Sequence, residues 1–157
     1  MSVAERLREL GVPLGSPARP LALYRPALLR GELVLVSGQL PMRDGALLHP
    51  GRVGDGVGLD EARAAARQCA LNGLAAAAAA LGSEAALEGM RVLRTAGYVA
   101  ATPGFDQQPE VIDGASELLR EALGDENGVG ARAAIGVASL PRGACVEVEF
   151  LFATEAR

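Results

Sequence analysis

Six consecutive alanines, Ala75 to Ala80, sit near the end of a proline-free run that starts at Asp60 and reaches Leu81. The run reads as one helix. Asp60 is a good N-cap, Glu61 puts a negative charge in the first turn, and Gly82 is a natural stop. Cys69, Gly73, Ala76, Ala77 and Ala80 share one face at helical spacing. Side chains this small let the helix lie close against a flat surface, so the run calls for a sheet as its partner.

The rest of the chain supplies strands. LALYR (21–25) and ELVLVSG (32–38) read as two strands joined by a turn near Arg30 and Gly31. The unbroken apolar run from Leu33 to Val36 predicts burial on both faces. Residues 42–58 are polar and Gly-rich and read as a long loop. Residues 90–100 form a third strand, followed by a loop with a Pro-Gly turn. Pro109 suits the first turn of a second helix, on which Val111, Ala115, Leu118 and Ala122 recur before Gly124 stops it. Residues 131–140 and 144–152 read as a closing hairpin around Pro141-Arg142-Gly143, and residues 3–10 as a short amphipathic helix. The order β-β-α-β-α-β-β describes an α+β sandwich with two helices on one face of one sheet. With 157 residues, the expectation is a single domain: an N-terminal extension over 1–19 and a core over 20–152.

Composition narrows the function. Aromatic residues make up 3% and Trp is absent, so the core must come from Ala, Val, Leu and Ile. Small side chains each bury little area at ~25 cal/mol per Å², so a partner subunit would add useful burial. The net charge is −4 and the arginines are scattered. Phosphate binding needs clustered cations, so no nucleic-acid partner is expected. Two distant cysteines and one histidine make a zinc site improbable by spacing. Without a secretory leader or a ~20-residue apolar run, the expectation is a reduced, cytoplasmic setting and no membrane association. His49, in a Pro-Gly loop without a candidate partner, reads as a surface residue. Cys69 reads as helix packing and Cys145 as a strand residue, neither with a thiolate-activating neighbour.

Chemistry concentrates near the C-terminus. In ACVEVEFLF, Val146, Val148, Phe150 and Phe152 alternate with Glu147 and Glu149. The simplest account is a half-buried strand with solvated acids; the sharper one makes a Glu a general base. Arg132 shares a strand face with Ala134, Gly136 and Ala138, which leaves room for a carboxylate beside the guanidinium. A surface arginine fits that spacing equally well.

Several strings together resemble the reactive-intermediate-deaminase (Rid, or YjgF) family. They are Ser37-Gly38-Gln39-Leu40-Pro41, Tyr24 thirteen residues earlier, Ala131-Arg132-Ala133, Ile135-Gly136-Val137-Ala138, Leu140-Pro141 and Val146-Glu147-Val148-Glu149. The resemblance covers roughly residues 20 to 152. The length is similar to the longer branch of that family, labelled endoribonuclease L-PSP or chorismate-mutase-like. It implies the YjgF-type fold, a homotrimer and active sites in the clefts between subunits. It also implies cofactor-free hydrolysis of imines or enamines, such as 2-aminoacrylate, to 2-keto acids and ammonia. By position, Arg132 would hold the substrate carboxylate and Glu147 would activate water. Tyr24, Ser37, Gly38, Ala134 and Asp113 would line the pocket. Ala134 replaces a Cys frequent in the family, and Asp113 replaces an Asn common in the second helix. The alternatives are a non-catalytic sensor of small carboxylates and an RNA-cleaving enzyme.

Overall fold

The computed structural model describes residues 1–17 and 22–154. The elements run α1 (Val3–Glu9), β1 (Ala27–Arg30), β2 (Leu33–Gln39), β3 (Met42–Arg43), β4 (Ala46–Leu47), β5 (Arg52–Val53), β6 (Gly56–Val57) and α2 (Leu59–Leu81). A 3₁₀ turn (Glu84–Leu87) leads to β7 (Arg91–Ala100), α3 (Gln108–Leu123), β8 (Ala131–Val137) and β9 (Val146–Ala153). Leaving out α1, the 3₁₀ turns and the four two-residue strands, the expected β-β-α-β-α-β-β order stands. It forms an α+β fold with one five-stranded mixed sheet, ordered β1-β2-β9-β7-β8.

The long helix forms for the expected reason. Ala66, Cys69, Ala70, Ala76 and Ala77 are buried, and the helix comes so close to the sheet that a Cβ at Gly73 would overlap the Phe150 ring. Gly58, not Asp60, is its N-cap. Glu61 accepts the Gly58 N–H at 2.8 Å, so the cap is made from the first turn backward rather than by an N-cap side chain. Helix α3 crosses α2 with equal intimacy, since a Cβ at Gly114 would strike the Arg63 carbonyl. Arg63 donates to Glu117 at 2.8 and 3.0 Å and Arg67 to Glu121 at 2.7 Å. These two arginines tie the two helices together. Helix α1 carries a capping box between Ser2 and Glu5 and buries Val3 and Leu7; Arg6 donates to the Ala122 carbonyl at 2.6 Å.

Four expectations need correction. The first strand starts at Ala27, because Pro26 precedes it and Arg30 pairs with Leu33 across a Gly31-Glu32 turn. Ala22 to Arg25 are not strand, and Leu21, where the expected strand began, lies outside the described residues. The run Leu33–Val36 alternates: Val34 and Val36 are buried, whereas Leu33 and Leu35 are 40% and 44% exposed. Residues 42–58 are not a plain loop but hold the ladders β3–β4 and β5–β6. Finally, β8 and β9 do not form a hairpin. Strand β7 lies between them, parallel to β8 and antiparallel to β9.

The last correction matters for the site. Residues paired across a sheet share a face. Thr95 lies in line with both Arg132 and Phe150, and Phe150 packs under α2, so this is the helix-covered face. Tyr98 lies in line with Glu147 on the open face. That face also carries Leu28, Leu35 and Ile135, which are 43%, 44% and 50% exposed.

Candidate functional site

Arg132 stands near the start of edge strand β8 and points toward α3. Its Nη1 donates to Asp113 Oδ1 at 2.6 Å and to Ser116 Oγ at 3.2 Å. Thr95, Glu117, Arg120 and the 128–130 loop complete a pocket of about 400 Å³ around it. Asp113 therefore already holds one nitrogen of the expected carboxylate clamp. Asp113 Oδ2 lies 4.0 Å from Arg63 Nη1.

Glu147 occupies the other half. Its carboxylate lies against Gly38, where an added Cβ would collide with it, so Gly38 is required to leave room for the acid. Burial, helped by the neighbouring charge of Glu149, pushes the Glu147 carboxyl above the usual range. Tyr98 donates to Glu149 Oε1 at 3.2 Å, which singles out Glu147 as the carboxylate not bonded to that phenol. Tyr98 is itself raised, by burial and then by Glu149.

Arg132 and Glu147 do not meet within one protomer. They lie on opposite faces, on strands separated by β7, and their in-line partners Thr95 and Tyr98 are three residues apart on β7. At ~4.8 Å per strand and ~3.3 Å per residue, their backbones are about 14 Å apart.

The remaining expected residues divide as follows. Tyr24 and Gly38 line a second cavity of about 800 Å³ between the 11–16 segment, the β3–β4 hairpin and α2. Ser37 does not line it; its hydroxyl donates to the Arg25 carbonyl at 2.6 Å and ties the segment before β1 to the end of β2. Ala134 packs against the core and does not border the Arg132 pocket, and Gln108 covers neighbouring Gly136. The open space beside Arg132 thus comes from the 128–130 loop, not from small residues on β8. His49 has a partner after all, with Nδ1 3.7 Å from Glu61 Oε1. Cys69 and Cys145 are free and buried, and Cys145 precedes β9 by one residue. Burial pushes the Cys145 thiol up to about 11 and raises that of Cys69, so both are protonated thiols at neutral pH.

Sequence reasoning missed the polar lining of the larger cavity. Asn72 donates to the Leu40 and Met42 carbonyls, both at 3.0 Å, and Gln68 donates to Asn72 at 2.9 Å. The available signal was a Gln and an Asn four residues apart on an otherwise alanine-rich helix. Among the described residues, no helix is long and apolar enough to cross a membrane.

Comparison with known proteins agrees with this architecture. The chain is 40% identical to protein TCP17 of Trypanosoma cruzi over 149 residues, covering 95% of this chain and 92% of that protein. A crystal structure of a protein of unknown function from Agrobacterium tumefaciens matches with a TM-score of 0.88 and 40% identity, covering 98% of this chain and 92% of the other. A structure from Shewanella oneidensis, described as a putative endoribonuclease, matches with a TM-score of 0.89 and 29% identity, covering 98% and 99%. The family model described as YjgF/chorismate mutase-like, putative endoribonuclease, matches residues 4–154. The SGQLP string with Tyr24 and the Arg132-to-Glu149 ending both fall within that span, and the chain belongs to this family.

Proposed function

We propose that the protein hydrolyses imines or enamines derived from amino acids to 2-keto acids and ammonia, in clefts between the subunits of a homotrimer. The observation that carries this reading is the half-buried Glu147 carboxylate, raised in pKa and seated on the Gly38 backbone. A carboxylate whose pKa moves toward the working pH is suited to take a proton from water. An imine carbon is already electrophilic, so a positioned water and a held carboxylate suffice as the main catalytic needs. Arg132 supplies the hold, and no cofactor takes part. With Arg132 and Glu147 on opposite faces, one protomer's Arg132 would work with Glu147 of a neighbour. The expected setting is the cytoplasm.

The exposed aliphatic residues of the open sheet face support assembly. Leu28, Leu35 and Ile135 would bury apolar area against a second copy, which a core poor in aromatics needs. Sedimentation is expected to give a trimer at micromolar concentration, and Leu35→Asp to dissociate it. A monomeric wild type would remove the intersubunit cleft. The activity itself is tested with imines generated in situ by an amino-acid oxidase, with ammonia release followed over the uncatalysed rate.

A second reading follows from the family description, which names RNA cleavage. The charge of −4 counts against a phosphate-binding surface, which needs clustered cations, and Arg63 and Arg67 are engaged with glutamates. RNA cleavage abolished by Arg132→Ala or Glu147→Gln would reverse this ranking.

A further inference from the structure

We propose that Tyr98 is a positioning residue for the hydrolysis: its hydroxyl fixes the Glu149 carboxylate beside Glu147, and through that fixed charge it governs how readily Glu147 takes a proton from water. This rests on the reading of Glu147 as the water-activating carboxylate. Strand β7 places Tyr98 directly opposite Glu147 on the open face, so their Cβ atoms are about 5 Å apart. The phenol nevertheless donates to Glu149 Oε1, at 3.2 Å, across the diagonal of the antiparallel pair. Ala96 stands directly opposite Glu149 and is buried, and its methyl leaves room for the phenol to lean across. Glu147 accepts no hydrogen bond among the described residues. It is flanked by Gly38 on one side and by Tyr98 on the other.

The consequence is electrostatic. Two carboxylates on one face of one strand repel, and the more firmly one is held close and charged, the more the other favours its protonated form. A hydrogen bond to the charged form of Glu149 keeps that acid ionised and stops it turning away. Burial, then the Glu149 charge, raise the Glu147 carboxyl, which makes it a stronger base toward water. The phenol is a lasting donor, because burial, then Glu149, push its own ionisation up. The other ionisable groups around Glu147 are Arg94 and Cys69. Arg94, four residues before Tyr98 on β7, acts on the phenol. Cys69 is a buried, protonated thiol on α2, on the other side of β9. Strand β2 brings Gly38 and β8 brings Ile135, neither of which ionises.

The test is the pH profile of kcat with an in-situ imine, on the assembled full-length protein, for Tyr98→Phe, Glu149→Gln and the double variant. Phenylalanine keeps the ring and removes only the hydroxyl. Tyr98→Phe should move the acid limb to lower pH, in the direction of Glu149→Gln and no further. It should therefore turn over faster than the wild type at a pH on that limb and slower on the plateau, where a weaker base counts. Added to Glu149→Gln, it should move the limb no more, since the hydroxyl acts through Glu149. An unmoved limb, or a shift of the same size with and without Glu149, overturns the positioning role. Titration of the Glu147 carboxyl by NMR in isotope-labelled, ligand-free protein reads the same shifts without turnover. A wild type that shows no hydrolysis would sink the hydrolase reading alone, while the titration still decides whether Tyr98, through Glu149, sets the Glu147 carboxyl.

Discussion

Replacing Glu147 by Gln is expected to lower kcat with an in-situ imine by roughly 10²–10⁴, the usual contribution of a general base. The amide keeps the size of the carboxylate, so it still fits over Gly38, but it has no basic oxygen. Binding through Arg132 on the helix-covered face should survive. Glu149→Gln should leave turnover within a few fold, because Glu149 is the acid bonded to Tyr98. The pH profile gives a further check. Burial and then Glu149 raise the Glu147 carboxyl, so the acid limb of kcat should lie above the usual carboxylate range. Removing the Glu149 charge should move that limb to lower pH. The same shift has a stability consequence. A carboxyl with a raised folded-state pKa binds its proton more tightly in the native protein. Its contribution is complete below the unfolded pKa and is lost as pH rises through the folded one. At neutral pH, Glu147→Gln should therefore melt above the wild type. Equal losses of turnover in both variants would mean that the pair acts as one unit or holds the fold.

Arg132→Ala and Arg132→Lys should both weaken carboxylate ligands by about one to two orders of magnitude, the loss of a charge-assisted pair of ~1.5–3 kcal/mol. Lysine keeps the charge but not the fork. Asp113 and Ser116 already occupy one donor of Arg132, and an ammonium drawn to Asp113 has no second planar edge to offer a ligand. Calorimetry with alanine or a keto acid checks this. A lysine variant that binds as well as the wild type would mean that only charge, not a bidentate geometry, is read at this position.

Much of the fold was legible because its signals are local. The alanine face, Gly82 and Gly124 as stops, and the alternation of β9 each depend on residues near one another in sequence. What was not legible depends on long-range pairing. Pro141-Arg142-Gly143 looks like a hairpin turn, but β8 pairs with β7, so the chain crosses over rather than folding back. Leu33 and Leu35 look like core because sequence cannot tell an exposed apolar face from a buried one. The candidate residues were found, but their grouping was not. Side-chain parity assigned Arg132 and Glu147 to strands that seemed adjacent. Only the insertion of β7 reveals that they face opposite ways. The Asp113–Arg132 pair joins a helix to a strand nineteen residues on, a contact that neither periodicity nor propensity encodes. Even so, Asp113 stood out as a departure from the resembling family.

On the proposed function, Arg132 and Glu147 of one cleft come from neighbouring subunits, and mixing two impaired variants puts this to the test. At subsaturating imine, Arg132→Ala and Glu147→Gln oligomers are each expected to turn over at roughly a tenth of the wild-type rate or less. If they are dissociated together and reassembled, some clefts will pair an intact Arg132 from one subunit with an intact Glu147 from the next. In a randomly mixed cyclic oligomer, roughly a quarter of the clefts should be complete, and imine hydrolysis should return to about that fraction of the wild-type rate. Mixed oligomers, verified by mass, that show no more activity than either parent would contradict the account.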